Sequence, residues 1–137
     1  MTKLFIDSDI IIDFLIDRKP FSKSSSEIIY KCSGKNIKGY VTPIIIANVF
    51  YILRKSIKLY NLRQKFINLL NHIDILDVNK KTVLDALNSN FSDFEDALQN
   101  YAVENTEIKI IITRNIKDYK KSSLSVYTPE SFLKTQN

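Results

Sequence analysis

The stretch LFIDSDIIIDFL, residues 4–15, joins two patterns back to back. Leu4, Phe5 and Ile6 form an unbroken apolar run closed by Asp7, as a strand buried on both faces would read. The next residues, DIIIDFLIDR, suit a short helix with Ser8 or Asp9 as its cap, and capping this helix is also the plain structural role open to Asp7. The same alternation continues downstream. RKPFSKSSSEIIYKCSGK reads as a turn followed by a helix that stops near Gly34, and GYVT as a second strand. Thr42-Pro43 starts a helix, with Thr as N-cap and Pro in the first helical position, running to about Lys58. NLRQKFINLLNHI is helical, IDILDV is a short strand, and KKTVLDALNSN and DFEDALQNYAVEN are two more helices. IKIIIT is the clearest buried strand; LSVYT is a last strand and PESFLK a last short helix. Strands that alternate with helices predict an α/β fold: three layers, α/β/α, around a mostly parallel sheet of about five strands. No repeat or low-complexity tract divides the chain, so residues 1–137 are read as one domain.

The totals agree with a soluble globular protein: 45% hydrophobic and 26% charged residues, with only two Gly and three Pro to spend on linkers. The longest apolar run, VTPIIIANVFYIL, is too short to span a bilayer and is broken by Asn48. The N-terminus meets an acid at Asp7, so it lacks an apolar signal core. Cys32 is the only cysteine, which excludes an internal disulfide and reads as a small core residue. His72 ends an amphipathic helix and reads as structural or exposed. A cytoplasmic protein with no membrane partner is expected.

The charge is unevenly distributed. Between Ile28 and Ile73 there is no Asp or Glu, whereas Lys31, Lys35, Lys38, Arg54, Lys55, Lys58, Arg63 and Lys65 all fall there. The net charge of +5 comes from this middle third. It is either a solvated cationic surface or the footprint of a polyanionic partner.

Against that background, FSDFEDALQNYAVE (residues 91–104) crowds Asp93, Glu95 and Asp96 at one helix start. Ser92 and Glu95 have capping-box spacing, and acids in a first turn suit the helix dipole. Asp96 lies outside that explanation. It shares a face with Asp93 and Asn100, opposite an apolar face of Phe94, Ala97, Leu98 and Tyr101. Two neighbouring carboxylates repel unless a cation sits between them, so the group is either a solvated acidic face or a cation seat.

In a parallel α/β sheet, ligands bind at the carboxyl ends of strands, beside a switch in strand order. The residues there are Asp7 and Asp9 after the first strand, and Thr113, Arg114 and Asn115 after IKIII. Asn48, inside IIIANVFYIL, is a polar amide that needs a partner. In chain order, LFIDSDIIIDFL, the polar residue after TPIIIA, DFEDALQ, IITRNIKDY and SVYTPESFL together resemble the PIN domain, a small metal-dependent nuclease fold. The ordered set carries the likeness, over essentially the whole chain, and within the family it is similar to the VapC-type toxins of bacterial toxin–antitoxin pairs.

The resemblance implies four acids around one or two Mg2+ or Mn2+ ions. They map onto Asp7, Asn48, Asp96 and Asn115, so two of the four positions are amides here. Mg2+ prefers oxygen ligands and often relies on one or two carboxylates plus substrate phosphates. Asp7 and Asp96 would supply two charges and Asp93 a third, with Asp9 and Asp118 as further candidates. The implied chemistry is metal-assisted hydrolysis of RNA phosphodiester bonds, with Thr113, Arg114, Lys117 and Arg18 against the substrate backbone. A homodimer and a small antitoxin whose tail covers the site are implied as partners. An alternative follows from the two amides: a PIN-fold module that binds RNA or an antitoxin-like partner without cleavage. Haloacid-dehalogenase-type phosphatases also begin with a strand-end Asp-x-Asp, but need a later acid pair where this chain has ITRN. A receiver domain needs a phosphoacceptor after the middle strand, where only Asp77 is available.

Overall fold

A computed structural model describes residues 1–136. Five strands form one parallel sheet: β1 (Thr2–Ile6), β2 (Ile37–Val41), β3 (Asp74–Ile75), β4 (Ile110–Ile112) and β5 (Ser125–Tyr127). Their order is β3-β2-β1-β4-β5, and every pairing is parallel. The helices are α1 (Ser8–Leu15), α2 (Ser22–Lys31), α3 (Pro43–Leu53), α4 (Leu59–Leu69), α5 (Lys80–Leu87), α6 (Phe94–Glu104) and α7 (Pro129–Lys134), with one 3-10 turn at Ile116–Tyr119. The expected α/β fold and five-stranded sheet are both present. Among the described residues, no helix is long and apolar enough to cross a membrane.

The central strand, β1, is where the chain reverses direction across the sheet. From β1 it builds outward through β2 to β3, then returns to the other side of β1 to lay down β4 and β5. The connections that follow β1 and β4 lead to opposite sides of the sheet, which makes the carboxyl ends of these two strands the switch point where parallel α/β sheets bind ligands. Ile6 pairs with Ile112 in register, so Asp7 and Thr113 emerge side by side from this edge.

Burial explains why the strands are apolar runs. Leu4, Phe5, Ile6, Ile111 and Ile112 have no exposed surface. They pack with Ile10 and Ile11 of α1, Ile28 and Ile29 of α2, Ile45 and Val49 of α3, and Leu62 and Leu69 of α4. Each such aliphatic side chain contributes about 2 kcal/mol by leaving water. Gly39 of β2 is needed for close approach. A Cβ there would lie 2.6 Å from Cys32 Sγ, 2.9 Å from Ile6 Cδ1 and 3.1 Å from Ile73 Cγ2. Cys32 itself is buried, as the sequence indicates.

Three local expectations change. α1 is capped by Asp7, not by Ser8 or Asp9, because the Asp7 carboxylate accepts the Ser8 amide hydrogen bond at 2.8 Å. α6 is capped by Asp93 rather than Ser92: Asp93 Oδ1 accepts from the Asp96 amide at 2.9 Å, and Phe94 is the first helical residue. α3 ends at Leu53, not near Lys58. The amides of Ser56 and Ile57 turn back onto the Leu53 carbonyl, and Lys58 then flanks the start of α4. Thr42 and Pro43 start α3 as expected, with Thr42 Oγ1 accepting from Ile45 N.

Gly39→Ala is expected to destabilise the fold by about 1–3 kcal/mol through overpacking. Urea denaturation checks this, and adding Cys32→Ala recovers part of the loss by vacating the nearest atom.

Candidate metal centre

The site begins where β1 ends. Asp7 is 8% exposed and belongs to no ion pair among the described residues. One carboxylate oxygen accepts from the Ser8 amide; the other accepts from Thr113 Oγ1 at 2.9 Å. Thr113 is itself held by β5, its amide donating to the Tyr127 carbonyl. Burial, then the charge of Asp9, pushes the Asp7 pKa up to about 6 against these hydrogen bonds. The phenol of Tyr119, 1% exposed, faces the same carboxylate. That contact draws the Asp7 pKa down, but no described atom meets the phenol in good hydrogen-bond geometry. Burial and then the Asp7 charge push the phenol's own pKa up.

Asp9, in the first turn of α1, faces the loop after β4. Its Oδ2 accepts from the Arg114 amide at 3.0 Å and from Asn115 Nδ2 at 3.1 Å, with Thr113 Oγ1 at 3.3 Å. The Thr113 hydroxyl has one proton for two acids, and the shorter distance gives it to Asp7. Asp9 Oδ1 is buried with no partner among the described residues. Burial raises the Asp9 pKa, while the Arg114 amide and guanidinium pull the other way.

Asp96 approaches from α6. Its pKa is pushed up to about 7, first by burial and then by the charges of Asp93, Asp7, Asp118 and Glu95. All four of these charges are negative. Among the described residues neither Asp96 nor Asp7 forms an ion pair. The α6 scaffold is tied to α3 by a buried hydrogen bond from Thr42 Oγ1 to Gln99 Oε1, 2.7 Å. Asn100 does not extend an acidic face: it is buried and accepts from Ser122 Oγ.

The expected residues separate into groups. Asp7, Asp9, Thr113 and Asn115 are joined by direct hydrogen bonds, and Asp96, Asp93 and Asp118 by their mutual field. Asn48 is half-buried on α3 and, among the described residues, its amide takes no hydrogen bond. Lys117 and Arg18 are exposed and pair with none of these acids. The guanidinium of Arg114 is engaged with Asp13, at 2.7 Å from Nε and 3.3 Å from Nη2, and lies 3.9 Å over the Phe21 ring. Asp13, Tyr119 and Phe21 carry no signal that the sequence reading used. Asp13 alone left a trace, as an acid four residues after Asp9 inside an apolar helix.

Among the described residues, no three His, Cys, Asp or Glu side chains stand close enough to hold a metal ion unaided. The donor set fits an ion that takes one or two carboxylates and completes its shell with water and substrate oxygens, as Mg2+ does. The unpartnered Asp9 oxygen and the mutual repulsion of Asp7 and Asp96 are consistent with that fit.

Both Asp7 and Asp96 have folded-state pKa values above the ordinary 3.8, so between that value and about 7 the native state holds more protons than the unfolded chain. Their contribution to the stability of the ion-free protein is therefore lost as pH rises through this window. Asp96→Asn is expected to stabilise the ion-free protein by about 1 kcal/mol at about pH 8, a figure reduced for solvent screening, and to have little effect at about pH 4. Thermal melts in a chelator measure this. Mn2+ should raise the melting temperature of the native sequence at the higher pH, and less so in Asp96→Asn.

The model of the PIN domain family matches residues 3–117. Over 139 aligned residues the chain is 27% identical to ribonuclease VapC1 of Aquifex aeolicus (strain VF5), covering 98% of this chain and 96% of that one. Its fold is similar to that in VapBC2 from Rickettsia felis bound to a promoter DNA fragment, with a TM-score of 0.67 and 18% identity over 93% of this chain and 98% of the other. It is also similar to that in a toxin–antitoxin complex from Klebsiella pneumoniae, with a TM-score of 0.69 and 19% identity over 92% and 97% of the two chains. A strand-end aspartate at the switch point, a second aspartate on the helix facing it and a family match over most of the length make the chain a member of the PIN domain family.

Proposed function

We propose that this protein is a divalent-metal-dependent endoribonuclease that hydrolyses RNA phosphodiester bonds and is restrained by a small antitoxin. The observation that carries the reading is the pair Asp7 and Asp96, which repel one another and, among the described residues, form no ion pair with a cation. Asp7 and Asp96 would hold Mg2+ or Mn2+, with Asp93 and Asp118 adding negative field. The half-buried Asn48 and the exposed Asn115 offer neutral amide oxygens. When bound, such an ion activates water for in-line attack and stabilises charge on the phosphate and leaving oxygen.

The chain's own residues do the rest. Thr113 fixes the orientation of the Asp7 carboxylate through its hydroxyl. The buried Tyr119 closes the crevice behind Asp7 and keeps bulk water off that side. Arg18 and Lys117 are exposed and free to meet backbone phosphates. The exposed cations of α3, α4 and their connection, Arg54, Lys55, Lys58 and Arg63, extend a positive field for a polyanion. No nucleophilic side chain is required, in keeping with a cysteine that is buried and has its pKa pushed up to about 12.

An antitoxin partner is supported by the company the fold keeps: similar solved chains come from toxin–antitoxin complexes. A homodimer is what the family resemblance implies. With Asp7 and Asp96 covered by such a partner, the same acids that attract a metal ion would attract a cationic side chain in its place.

RNA cleavage by the purified protein should require Mg2+ or Mn2+. It should fall at least about 100-fold in Asp7→Asn and in Asp96→Asn, from the loss of metal-mediated catalysis. Gel assays on a structured RNA pool read this. Cleavage unaffected by both substitutions would remove the site from the mechanism. RNA binding without turnover under any divalent ion would favour the non-cleaving module.

A further inference from the structure

Outside the Asp7–Asp96 pair, α1, the segment that leads into α2 and the loop after β4 meet around one buried ion pair. Asp13 is fully buried and, among the described residues, its one ion pair is with Arg114. Arg114 binds it through Nε at 2.7 Å and Nη2 at 3.3 Å and stacks over the Phe21 ring at 3.9 Å. From the same residue, the backbone amide donates to Asp9 Oδ2. One position further on, Asn115 donates its side chain to the same oxygen and its amide to Thr113 Oγ1, which in turn holds Asp7.

We propose that Asp13, Arg114 and Phe21 form a clamp that sets the 113–115 loop against Asp9 and Asp7, so that Arg114 is a positioning residue for the cation seat and not a phosphate ligand. The inference rests on the reading of Asp7 and Asp96 as that seat. Asp9 Oδ2 faces the Thr113 hydroxyl, the Arg114 amide and the Asn115 side chain, so the placing of the 113–115 loop sets the direction of this carboxylate. The clamp fixes that placing. It anchors Arg114 at a bidentate buried carboxylate and under an aromatic ring, two contacts that a guanidinium makes and an ammonium does not reproduce. Swinging the guanidinium out to a phosphate would leave Asp13 charged, buried and alone, which is strongly unfavourable. Arg18, 5.7 Å from the same ring and exposed, remains free for the substrate.

The test uses the full chain and three variants: Arg114→Lys, Asp13→Asn and Phe21→Leu. Mn2+ binding is measured by calorimetry and backbone mobility by amide hydrogen exchange. Groups that orient the ligands of a metal site without touching the metal typically weaken its affinity by about 10- to 100-fold when changed. That loss is expected in Arg114→Lys and Asp13→Asn, and a smaller one in Phe21→Leu, which leaves the ion pair intact if Asp13→Asn fails to fold. Exchange should quicken at the amides of Arg114 and Asn115 and stay slow at Phe5 and Val41 in the sheet. Mn2+ affinity equal to the native protein's, with a raised KM for RNA, would make Arg114 a phosphate ligand and overturn the proposal. Unchanged exchange at Arg114 and Asn115 would overturn it as well. A native protein that binds no Mn2+ overturns the metal reading itself, and the clamp then stands or falls on the exchange rates alone.

Discussion

Unbalanced negative charge at the carboxyl ends of β1 and β4 is the constraint around which this molecule is arranged. Asp7 is buried at a strand end, Asp9 lies beside it and Asp96 faces it from α6. In a basic protein, the simplest local remedy would be a lysine between them. Instead, the guanidinium in the neighbourhood is committed to Asp13. The charges are held by hydrogen bonds from Ser8, Thr113 and Asn115, which orient carboxylates without neutralising them. Among the described residues, no cationic side chain forms an ion pair with Asp7, Asp9 or Asp96.

The fold makes this possible because β1 is both the central strand and the point of reversal. A parallel sheet buried on both faces leaves its polar termini as the places where side chains meet solvent. The three apolar residues that end β1 hold Asp7 in place, since Leu4, Phe5 and Ile6 are wholly buried. α6 contributes Asp96 from a scaffold fastened by Gln99 to Thr42 and by Asn100 to Ser122. Polar residues on α6 that look like part of an acidic face are therefore divided between two tasks. Asp93 and Asp96 face the crevice, whereas Gln99 and Asn100 attach the helix.

Helix-start chemistry and site chemistry are not alternatives here. Asp7 caps α1 and Asp93 caps α6 while both contribute to the acidic field. A cap leaves part of a carboxylate free to act elsewhere. The sequence reading set these roles against each other for the 91–104 helix, and assigned the cap to Ser92. With the cap at Asp93, Asp93 lies outside the helix proper, so its nearness to Asp96 comes from the capping hydrogen bond and not from one turn of helical spacing.

Much of the architecture was legible in the chain. The strands are runs of Ile, Leu, Phe and Val, and the Thr-Pro pairs at 42–43 and 128–129 both open helices, because these patterns act over a few residues and answer to local sterics and burial. Asp7, Thr113 and Asn115 could be picked out because strand ends are visible in sequence. Helix ends were less so: α3 stops at Leu53 where the periodicity suggested more, since its last turn is decided by how Ile57 packs. What only the tertiary structure decided is which charge meets which. Asp13 and Arg114 are 101 residues apart, and Asp7 and Thr113 are 106 apart, so their pairing is set by the strand order β2-β1-β4 and by nothing local. One-dimensional spacing shows that a carboxylate is present; burial and neighbours determine whether it is paired, as Asp13 is, or without an ion pair among the described residues, as Asp7 and Asp96 are.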